Sequence, residues 1–328
     1  MHLSFGLCYN VSMKIVTTHP DIKENPYFGR GDAILDITAS GRYWRTSRLR
    51  SVTLLTCGRK ITWLSEKESD EPDILEALSH ALSGKGDTEM PVGHIITFNG
   101  NAFDLPHLHR KYAAYALLDP LNGRSYTDLF LTYSHLKDFL GLPSRRLIDY
   151  ADFAGADPRL DDADRTLAIL PLRAFTDALN GIISPSGESD NPKPFPSLVD
   201  SFVREGRLYY TLGTDYTFPR LLSIHDTVFH LQFSDHLIKI SAPIEDGTLR
   251  VYHTDIKNYF YLPAEGYAVH KAAAAYVDKS RKEKAVRENC FHRAVFRDLY
   301  LTDCGETRQY IRSIVSFLLT PRRLHSVK

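Results

Sequence analysis

The stretch AILDITASG, residues 33–41, decides the fold class of this protein. Its apolar run carries Asp36 and ends at a turn-forming Ser-Gly pair. Two β-rich runs follow, SVTLLT at residues 51–56 and ITWLS at residues 61–65. Three such runs in succession predict an antiparallel meander, with Asp36 near the end of its first strand.

The stretch FNGNAFD, residues 98–104, extends this pattern. It links a predicted strand at residues 93–98 to a predicted helix at residues 102–118, and apolar spacing predicts an earlier helix over residues 72–82. The resulting order β-β-β-α-β-α predicts an α/β fold of the RNase H-like type, with a mixed sheet flanked by helices.

The composition changes after this region and predicts a second domain. Residues 184–197 are rich in Pro, Ser and Gly, which is typical of a linker. Short alternating runs beyond it predict strands, and residues 268–288 predict a helix. We therefore expect four parts: an N-terminal extension (1–12), an RNase H-like domain (13–183), a linker (184–197), and a smaller β-rich domain with a C-terminal helical segment (198–328).

Charge and cysteine content exclude some classes of protein. The 328 residues carry 40 basic and 40 acidic side chains, which argues against avid, non-specific coating of nucleic acid. The four cysteines are scattered without a C-x-x-C pair, so neither a disulfide framework nor a structural zinc site is expected. We found no apolar run of membrane-spanning length and no signal-peptide pattern, and we therefore expect a cytoplasmic protein with no membrane partner.

Two aspartates carry the predicted chemistry. Asp36 and Asp104 lie near the ends of two core strands, where carboxylates can meet above a sheet. Mg²⁺ prefers clustered oxygen ligands, and two such ions can activate water and stabilise the leaving 3′ oxygen of a phosphodiester. Asp104 could also be a helix cap, and Asp36 a solvated carboxylate at a strand end.

The two motifs resemble those of the YprB-type ribonuclease H-like domain proteins, within the DEDD 3′–5′ exonuclease superfamily. The first matches that family's D-x-E-T-x-G strand and the second its N-G-x-x-F-D motif. The stretches NYFYLP (258–263), VHK (269–271) and YVDK (276–279) resemble its C-terminal region, so the resemblance covers most of residues 13–293. It implies an exonuclease fold, a Mg²⁺ or Mn²⁺ site, and the single-stranded 3′ end of DNA or RNA as substrate.

The resemblance assigns the catalytic, metal-binding roles to Asp36, Asp104 and Asp162. The family's glutamate falls at Thr38, and a neutral hydroxyl is a weak metal ligand. The third motif is shortened, and Asp157-Pro158 stands where a general-base Tyr or His is expected. Asp162 could instead belong to an acidic helix start, and the other acidic side chains that could replace it as a ligand are Asp152, Asp161 and Asp164.

The stretch after the first motif alternates cations with aromatic rings, including Arg42, Arg45 and Trp44. Such a pattern suits phosphate contact and base stacking on a single strand, although a solvated β-hairpin explains it equally well. The residues expected to contact nucleic acid are Thr38, Asn99, Gly100, Asn101, Phe103, Arg42 and Arg45. His107 and His109 lie two apart on a predicted helix and therefore face different ways, which predicts surface and groove residues rather than metal ligands.

The sequence leaves three functions open. The first is a metal-dependent 3′–5′ exonuclease that hydrolyses phosphodiester bonds. The second is a catalytically inactive pseudo-nuclease that binds nucleic acid or acts as a scaffold, which Thr38 and the shortened third motif favour. The third is a protein–protein adaptor that uses the β-rich domain, for which an exposed apolar patch would be the sign. Nothing in the sequence indicates the oligomeric state.

Overall fold

The computed structural model describes residues 13–20, 22, 25–85, 90–184 and 193–320. The chain forms two compact units: unit 1 comprises residues 1–134 and 143–173, and unit 2 comprises residues 135–142 and 174–328. The predicted extension (1–12) and most of the predicted linker (184–197) lie outside the described residues.

The strands belong to one sheet in unit 1 and three sheets in unit 2. In chain order they are β1 (Lys14–Thr18), β2 (Asp32–Ala39), β3 (Leu49–Leu55), β4 (Lys60–Leu64), β5 (His94–Thr97), β6 (Ser125–Asp128), β7 (Ser197–Arg204), β8 (Arg207–Gly213), β9 (Leu222–His225), β10 (His230–Ser234), β11 (Leu237–Pro243), β12 (Thr248–Tyr252), β13 (Tyr259–Leu262), β14 (Tyr267–His270), β15 (Glu283–Lys284) and β16 (Phe291–Val295).

The α-helices are interspersed with short 3₁₀ turns. In chain order they are α1 (Glu71–Leu82), α2 (Asp104–Ala114), α3 (Leu129–Tyr133), α4 (Leu136–Phe139), α5 (Leu147–Ala154), α6 (Asp162–Ile169), α7 (Arg173–Ile183), α8 (Lys271–Ala274) and α9 (Gly305–Leu319).

The sheet of unit 1 has the strand order β1-β4-β3-β2-β5-β6. Strands β2, β3 and β4 form the predicted antiparallel meander, whereas β5 runs parallel to β2 and β6 runs parallel to β5. The parallel pairs require crossovers, which α1 and α2 provide. This topology confirms the predicted α/β, RNase H-like fold class. Strand β1, which the sequence patterns did not predict, extends the sheet beyond β4.

The apolar alternation that predicted these strands corresponds to their burial. Ala33, Leu35 and Ile37 of β2 belong to a cluster of buried side chains that also contains Leu75 and Leu78 of α1. The apolar stripe of α1 therefore covers one face of the sheet, as its spacing predicts. Asp36 is consequently carried by a strand whose other face is close-packed.

Several predicted elements have different bounds in the structure. The composition of residues 126–131 predicts a strand, but β6 ends at Asp128, because the Asp128 side chain accepts a hydrogen bond from the Phe130 amide and begins α3. The helix predicted over 102–118 extends only from Asp104 to Ala114. Residues 160–179 have helical spacing that Pro171 is expected to kink or break, and a 3₁₀ turn between α6 and α7 confirms this.

The prediction of a helix over residues 268–288 is wrong. This stretch contains β14, the single turn of α8, a 3₁₀ turn and β15. Two side chains that start new turns interrupt it, since His270 caps α8 and Asp278 caps the 3₁₀ turn. The C-terminal helical segment is instead α9, which begins at Gly305.

Unit 2 is built around a five-stranded antiparallel sheet with the order β7-β8-β11-β10-β9. One face of this sheet is covered by helices. The ring of Phe233 on β10 lies 5.8 Å from Phe139 of α4 and 5.4 Å from Phe175 of α7. Tyr210 on β8 lies 6.4 Å from Tyr310 of α9. Helices therefore bury the apolar side of the sheet.

The helical stretch over residues 162–183 is long and apolar enough to cross a membrane, although most of it is buried inside the protein. Core helices of globular proteins have the same length and composition, so this single stretch is weak evidence for a membrane span. The 3₁₀ turn at Leu170–Leu172 also interrupts its α-helical geometry.

A buried ion pair ties the elements of unit 1 together. Lys111 of α2 donates to Glu71 of α1 across 2.8 Å, with 8% and 0% of the two side chains exposed. Glu71 also accepts hydrogen bonds from the Leu49 amide at 2.5 Å and the Tyr115 hydroxyl at 2.7 Å. Lys111 donates further to the Ser47 carbonyl at 2.8 Å. Each buried charge therefore has several polar partners, as burial requires.

We predict that Lys111→Ala lowers the free energy of unfolding by about 3–5 kcal/mol, because it leaves the Glu71 carboxylate buried without its cation. The double variant Glu71→Gln/Lys111→Met removes both charges, so it should recover most of this loss. Urea denaturation of both proteins measures the difference. Arg159→Ala, which breaks an exposed ion pair with Asp157 in the same unit, is the control and should match the wild type.

Candidate functional site

Strand β2 positions Asp36 by alternation. Leu35 and Ile37 point into the core, whereas Asp36 and Thr38 lie on the opposite face, half-buried and exposed respectively. A β-bulge between Thr38 and Ala39 shifts the register with β3. The threonine that replaces the family's glutamate therefore shares a strand face with Asp36.

The turn between β5 and α2 positions Asp104. Asn99 has a positive φ of 65°, a conformation that asparagine tolerates better than most residues. A Cβ atom at Gly100 would lie 2.4 Å from the Cβ of Thr97, so only glycine fits there. This tight turn lets Asp104 occupy the first position of α2, while Phe103 is the N-cap residue. Asp104 is therefore not the helix cap that one interpretation of the sequence allowed.

Asp128 at the end of β6 holds this turn in place. Its carboxylate accepts the amides of Asn99 at 2.7 Å and Asn101 at 3.1 Å, besides that of Phe130 at 3.0 Å. The sequence patterns placed Asp128 inside a strand and missed this role. An aspartate directly before a short apolar helix is a helix-capping signal that could have identified it.

Asp36 and Asp104 line one cleft of about 590 Å³ in unit 1. The cleft combines carboxylates, one cation and two aromatic rings. Its lining residues are Asp36, Arg42, Phe98, Asn99, Ala102, Phe103 and Asp104. Two carboxylates that are 68 positions apart in the sequence are thus brought to the same cavity, together with three of the residues expected to contact nucleic acid, Arg42, Asn99 and Phe103.

Burial and neighbouring carboxylates perturb both aspartates. Burial, with further repulsion from Asp162 and Asp161, raises the pKa of Asp36 to about 7, although Lys60 opposes the shift. Burial, with repulsion from Asp36, Asp128 and Asp162, raises the pKa of Asp104 to about 8. Both carboxyls therefore keep their protons to a higher pH than a solvent-exposed aspartate does.

Asp162 is close enough to both aspartates to raise their pKa values, but its own surroundings differ. Its side chain is 55% exposed and forms an ion pair with Arg165 at 2.9 Å. Asp162 lies in the first turn of α6, whose N-cap is Asp161. The structure thus places Asp162 in an acidic helix start that also adjoins the cleft.

The alternative third carboxylates have other partners. Lys60 on β4 donates to Asp164 at 2.6 Å and also to Asp161, which anchors the start of α6 to the sheet. Asp152 is exposed on α5. Asp157, at the position expected for a general base, is paired with Arg159. Lys60 therefore neutralises two of the three substitutes that the sequence suggested.

The cleft offers two carboxylates, those of Asp36 and Asp104, to a divalent cation. Across the described residues, no cluster of three or more His, Cys, Asp or Glu side chains is arranged to hold a metal ion. Mg²⁺, however, commonly keeps several water ligands and binds through one or two carboxylates together with substrate phosphates. The Asp36 and Asp104 pair fits one hydrated ion of this kind. Mutual repulsion in a buried cleft is a cost that such an ion would relieve.

The other residues expected to contact nucleic acid lie around this cleft or near it in sequence. Thr38 is exposed on β2, and Asn101 is exposed in the turn that Asp128 holds. The Arg45 guanidinium lies over the Trp44 ring, 5.4 Å from its centroid. Gly100 contributes backbone geometry, because it is buried against Thr97.

The two histidines of α2 were expected at the surface, and for His107 this is wrong. His107 is 2% exposed, and its ring lies 5.4 Å from that of Phe103. Neither ring nitrogen has a hydrogen-bond partner among the described residues. His109 is partly exposed and pairs with Asp119. His107 thus backs the aromatic wall of the cleft.

No protein-family model matches this chain, and no curated protein does. Solved structures of exonuclease I are similar at low levels. An ExoI/SSB-Ct complex is 11% identical with a TM-score of 0.34, covering 90% of this chain and 76% of that one. A structure of exonuclease I described as suggesting how processivity is achieved is 12% identical with a TM-score of 0.36, covering 89% and 74%. The zinc-bound E. coli ExoI–ssDNA complex is 10% identical with a TM-score of 0.32, covering 89% and 74%. TM-scores this low carry no argument about the site.

The raised pKa values predict a pH dependence of stability when a chelator is present. A carboxyl whose folded-state pKa is raised contributes stability below its unfolded pKa and loses that contribution as the pH rises through about 7 for Asp36 and about 8 for Asp104. We predict that Asp36→Asn stabilises the protein at pH 8.5 by roughly 2 kcal/mol and has little effect at pH 5.

Urea denaturation in EDTA at both pH values measures this difference. Glu66→Gln removes an exposed carboxylate of the same unit and is the matched control, expected to be neutral at both pH values. A stability gain from Asp36→Asn that is equal at pH 5 and pH 8.5 would contradict the prediction. Adding Mn²⁺ at pH 8.5 should raise the melting temperature of the wild type more than that of Asp36→Asn.

Proposed function

We propose that this chain is a nucleic-acid-binding protein of the RNase H-like, DEDD 3′–5′ exonuclease superfamily and that it resembles the YprB-type proteins. Its activity would be divalent-metal-dependent hydrolysis of phosphodiester bonds at the 3′ end of a single strand. The observation that carries the proposal is the shared cleft of Asp36, which lies on β2, and Asp104, which begins the helix after β5.

The residues of the cleft would have two roles, metal binding and phosphate binding. Asp36 and Asp104 would hold one Mg²⁺ or Mn²⁺ ion, which when bound supplies charge neutralisation for a phosphodiester and its leaving oxygen. Asp162 would join them through water or after leaving Arg165, and it lies near enough to influence both. The Arg42 guanidinium lines the same cleft, where it would orient a phosphate through paired hydrogen bonds.

The aromatic wall supports a single-stranded substrate. Phe98 is held edge-on by Phe130 at 5.8 Å and by Tyr150 at 5.9 Å, so its ring has a fixed orientation. Phe103 is half-buried, and His107 packs behind it. Rings fixed in this way can stack with unpaired bases at little entropic cost, whereas a duplex keeps its bases stacked inside.

We predict that Asp36→Asn and Asp104→Asn each lower the rate of 3′-nucleotide release by roughly 100-fold or more, since each removes a carboxylate from the proposed ion. The assay uses single-stranded DNA and RNA, labelled at the 5′ end so that shortening from the 3′ end is visible, with Mn²⁺ present. Glu66→Gln, which alters an exposed carboxylate of the same unit, is the control and should retain the wild-type rate. Equal degradation by the wild type and Asp36→Asn would refute the site.

A second candidate function is a pseudo-nuclease that binds nucleic acid without cleaving it. Two observations favour it: Thr38 occupies the glutamate position on the Asp36 face, and Asp162 is paired with Arg165. Both reduce the negative charge available to a second ion. The position expected for a general base is also filled by Asp157, whose carboxylate is bound to Arg159.

Thr38→Glu distinguishes the two candidates. If only the missing carboxylate limits turnover, this substitution should raise Mn²⁺-dependent cleavage at least tenfold and strengthen Mn²⁺ binding in calorimetry. Thr38→Gln has the same shape without the charge and is the matched control, expected to leave both unchanged. Tighter Mn²⁺ binding without any gain in cleavage would favour the pseudo-nuclease.

A further inference from the structure

The face of the five-stranded sheet opposite the helices of unit 2 carries an ordered row of rings, which is buried at its centre and exposed towards its two ends. Strand pairing aligns Phe202 of β7 with Tyr209 of β8, Tyr209 with Ser241 of β11, Ser241 with His230 of β10, and His230 with His225 of β9. These residues form one line that crosses all five strands, here called the ring row. Side chains aligned in this way share one face of a sheet.

The rings of this row are stacked in pairs. Phe202 and Tyr209 have centroids 4.9 Å apart and an interplanar angle of 12°. His225 and His230 have centroids 4.0 Å apart and an angle of 16°. Ser241 separates the two pairs; it is buried, and its hydroxyl accepts a hydrogen bond from Arg207. Near-parallel stacking orders the four rings before any ligand arrives.

The ring row lies on the face opposite the helices. Its strand neighbours Tyr210, Leu231 and Phe233 point the other way, into the core beneath α4, α7 and α9. Phe202 is 42% exposed, and His225 is exposed as well. Both ends of the row are therefore accessible to a ligand from solvent.

Cations flank the ring row on both sides. Lys239 is exposed and lies on β11 two residues before Ser241, on the same face of the sheet. It pairs with Gln232 of β10 and Thr211 of β8. On the other side Arg204 aligns with Arg207. Arg207 is anchored by the Val228 carbonyl and the Ser241 hydroxyl.

Acidic groups on this side of the sheet are fewer than the cations. Asp200 aligns with Thr211, on the Lys239 side of the row. Glu205 lies in the β7–β8 turn, where it forms an exposed ion pair with Arg204. Burial and the adjoining His225 hold the pKa of His230 below its ordinary value, so this ring is neutral at pH 7. The face therefore offers flat rings with a modest excess of positive charge.

We propose that the ring row is a second nucleic-acid-binding surface, which takes single-stranded DNA or RNA by base stacking on its two ring pairs and by phosphate contact with Arg204 and Lys239. This proposal rests on the proposed function for the kind of ligand, but it assigns a separate surface within unit 2. Stacked flat rings flanked by cations suit unpaired bases joined by phosphates, whereas an apolar protein partner would match aliphatic side chains without cations.

The test measures binding of the full chain to a 5′-fluorescein dT20 oligonucleotide by anisotropy, with EDTA present so that cleavage does not contribute. The variants are Phe202→Ala/Tyr209→Ala and His225→Ala/His230→Ala. Each pair should weaken binding by about tenfold, as loss of one stacking platform does. Val295→Ala removes an exposed apolar side chain elsewhere in unit 2 and should leave affinity unchanged.

Photo-crosslinking of wild-type protein with a 5-iodouracil oligonucleotide gives a readout that needs no variant. Cross-links in peptides that span residues 197–213 or 222–234 are expected. Cross-links confined to unit 1, or unchanged affinity of both variants, would overturn the proposal while leaving the cleft function intact. Loss of cleavage in Asp36→Asn with these cross-links retained would separate the two sites. Self-association through Phe202 without oligonucleotide binding would assign the face to protein contact and overturn the proposal.

Discussion

The buried ion pair between Glu71 and Lys111 is the constraint on which unit 1 depends. It links α1 to α2, and through the Leu49 amide and the Ser47 carbonyl it fixes the chain that leads into β3. That chain follows the loop that carries Arg42, and α2 begins with Asp104. One network of charge-assisted hydrogen bonds therefore sets the positions of both walls of the cleft, and each buried charge is tolerable only because the others are present.

A second electrostatic balance operates within the cleft. Burial and repulsion raise the pKa of Asp36 to about 7 and that of Asp104 to about 8. Lys60 reduces the negative charge near the cleft, because it pairs with Asp161 and Asp164. The folded protein therefore keeps both carboxyls in surroundings that disfavour their charged forms, and a bound cation would reduce this cost. Thr38 lies on the same strand face as Asp36 and adds no charge to this balance.

The sheets of the two units bring functional side chains together in different ways. In unit 1, β2 and β5 are neighbouring parallel strands. The segments that follow them therefore lie at the same edge of the sheet, where the cleft is. In unit 2, an antiparallel sheet is covered by helices on one face only, so strand alternation alone lines up rings and cations on the other. A binding surface of the first kind is a compact cleft, whereas one of the second kind is an extended row.

The sequence by itself determined the order of elements from β2 to α2, because apolar periodicity and turn residues act over short distances. It predicted that Asp36 and Asp104 meet, which their shared cleft confirms, but it placed both at strand ends, whereas Asp36 lies within β2 and Asp104 begins α2. Local patterns could not determine what depended on distant partners. Asp128 holds the Asn99 turn from 29 positions away, Lys60 pairs with Asp161 from 101 positions away, and His107 is buried behind Phe103. The helix predicted over 268–288 failed because side-chain caps and the pairing of β13 with β15 outweighed the helical propensity of its alanines. Only the tertiary structure could place the ring row, since stacking across five strands is a property of register that no single strand contains.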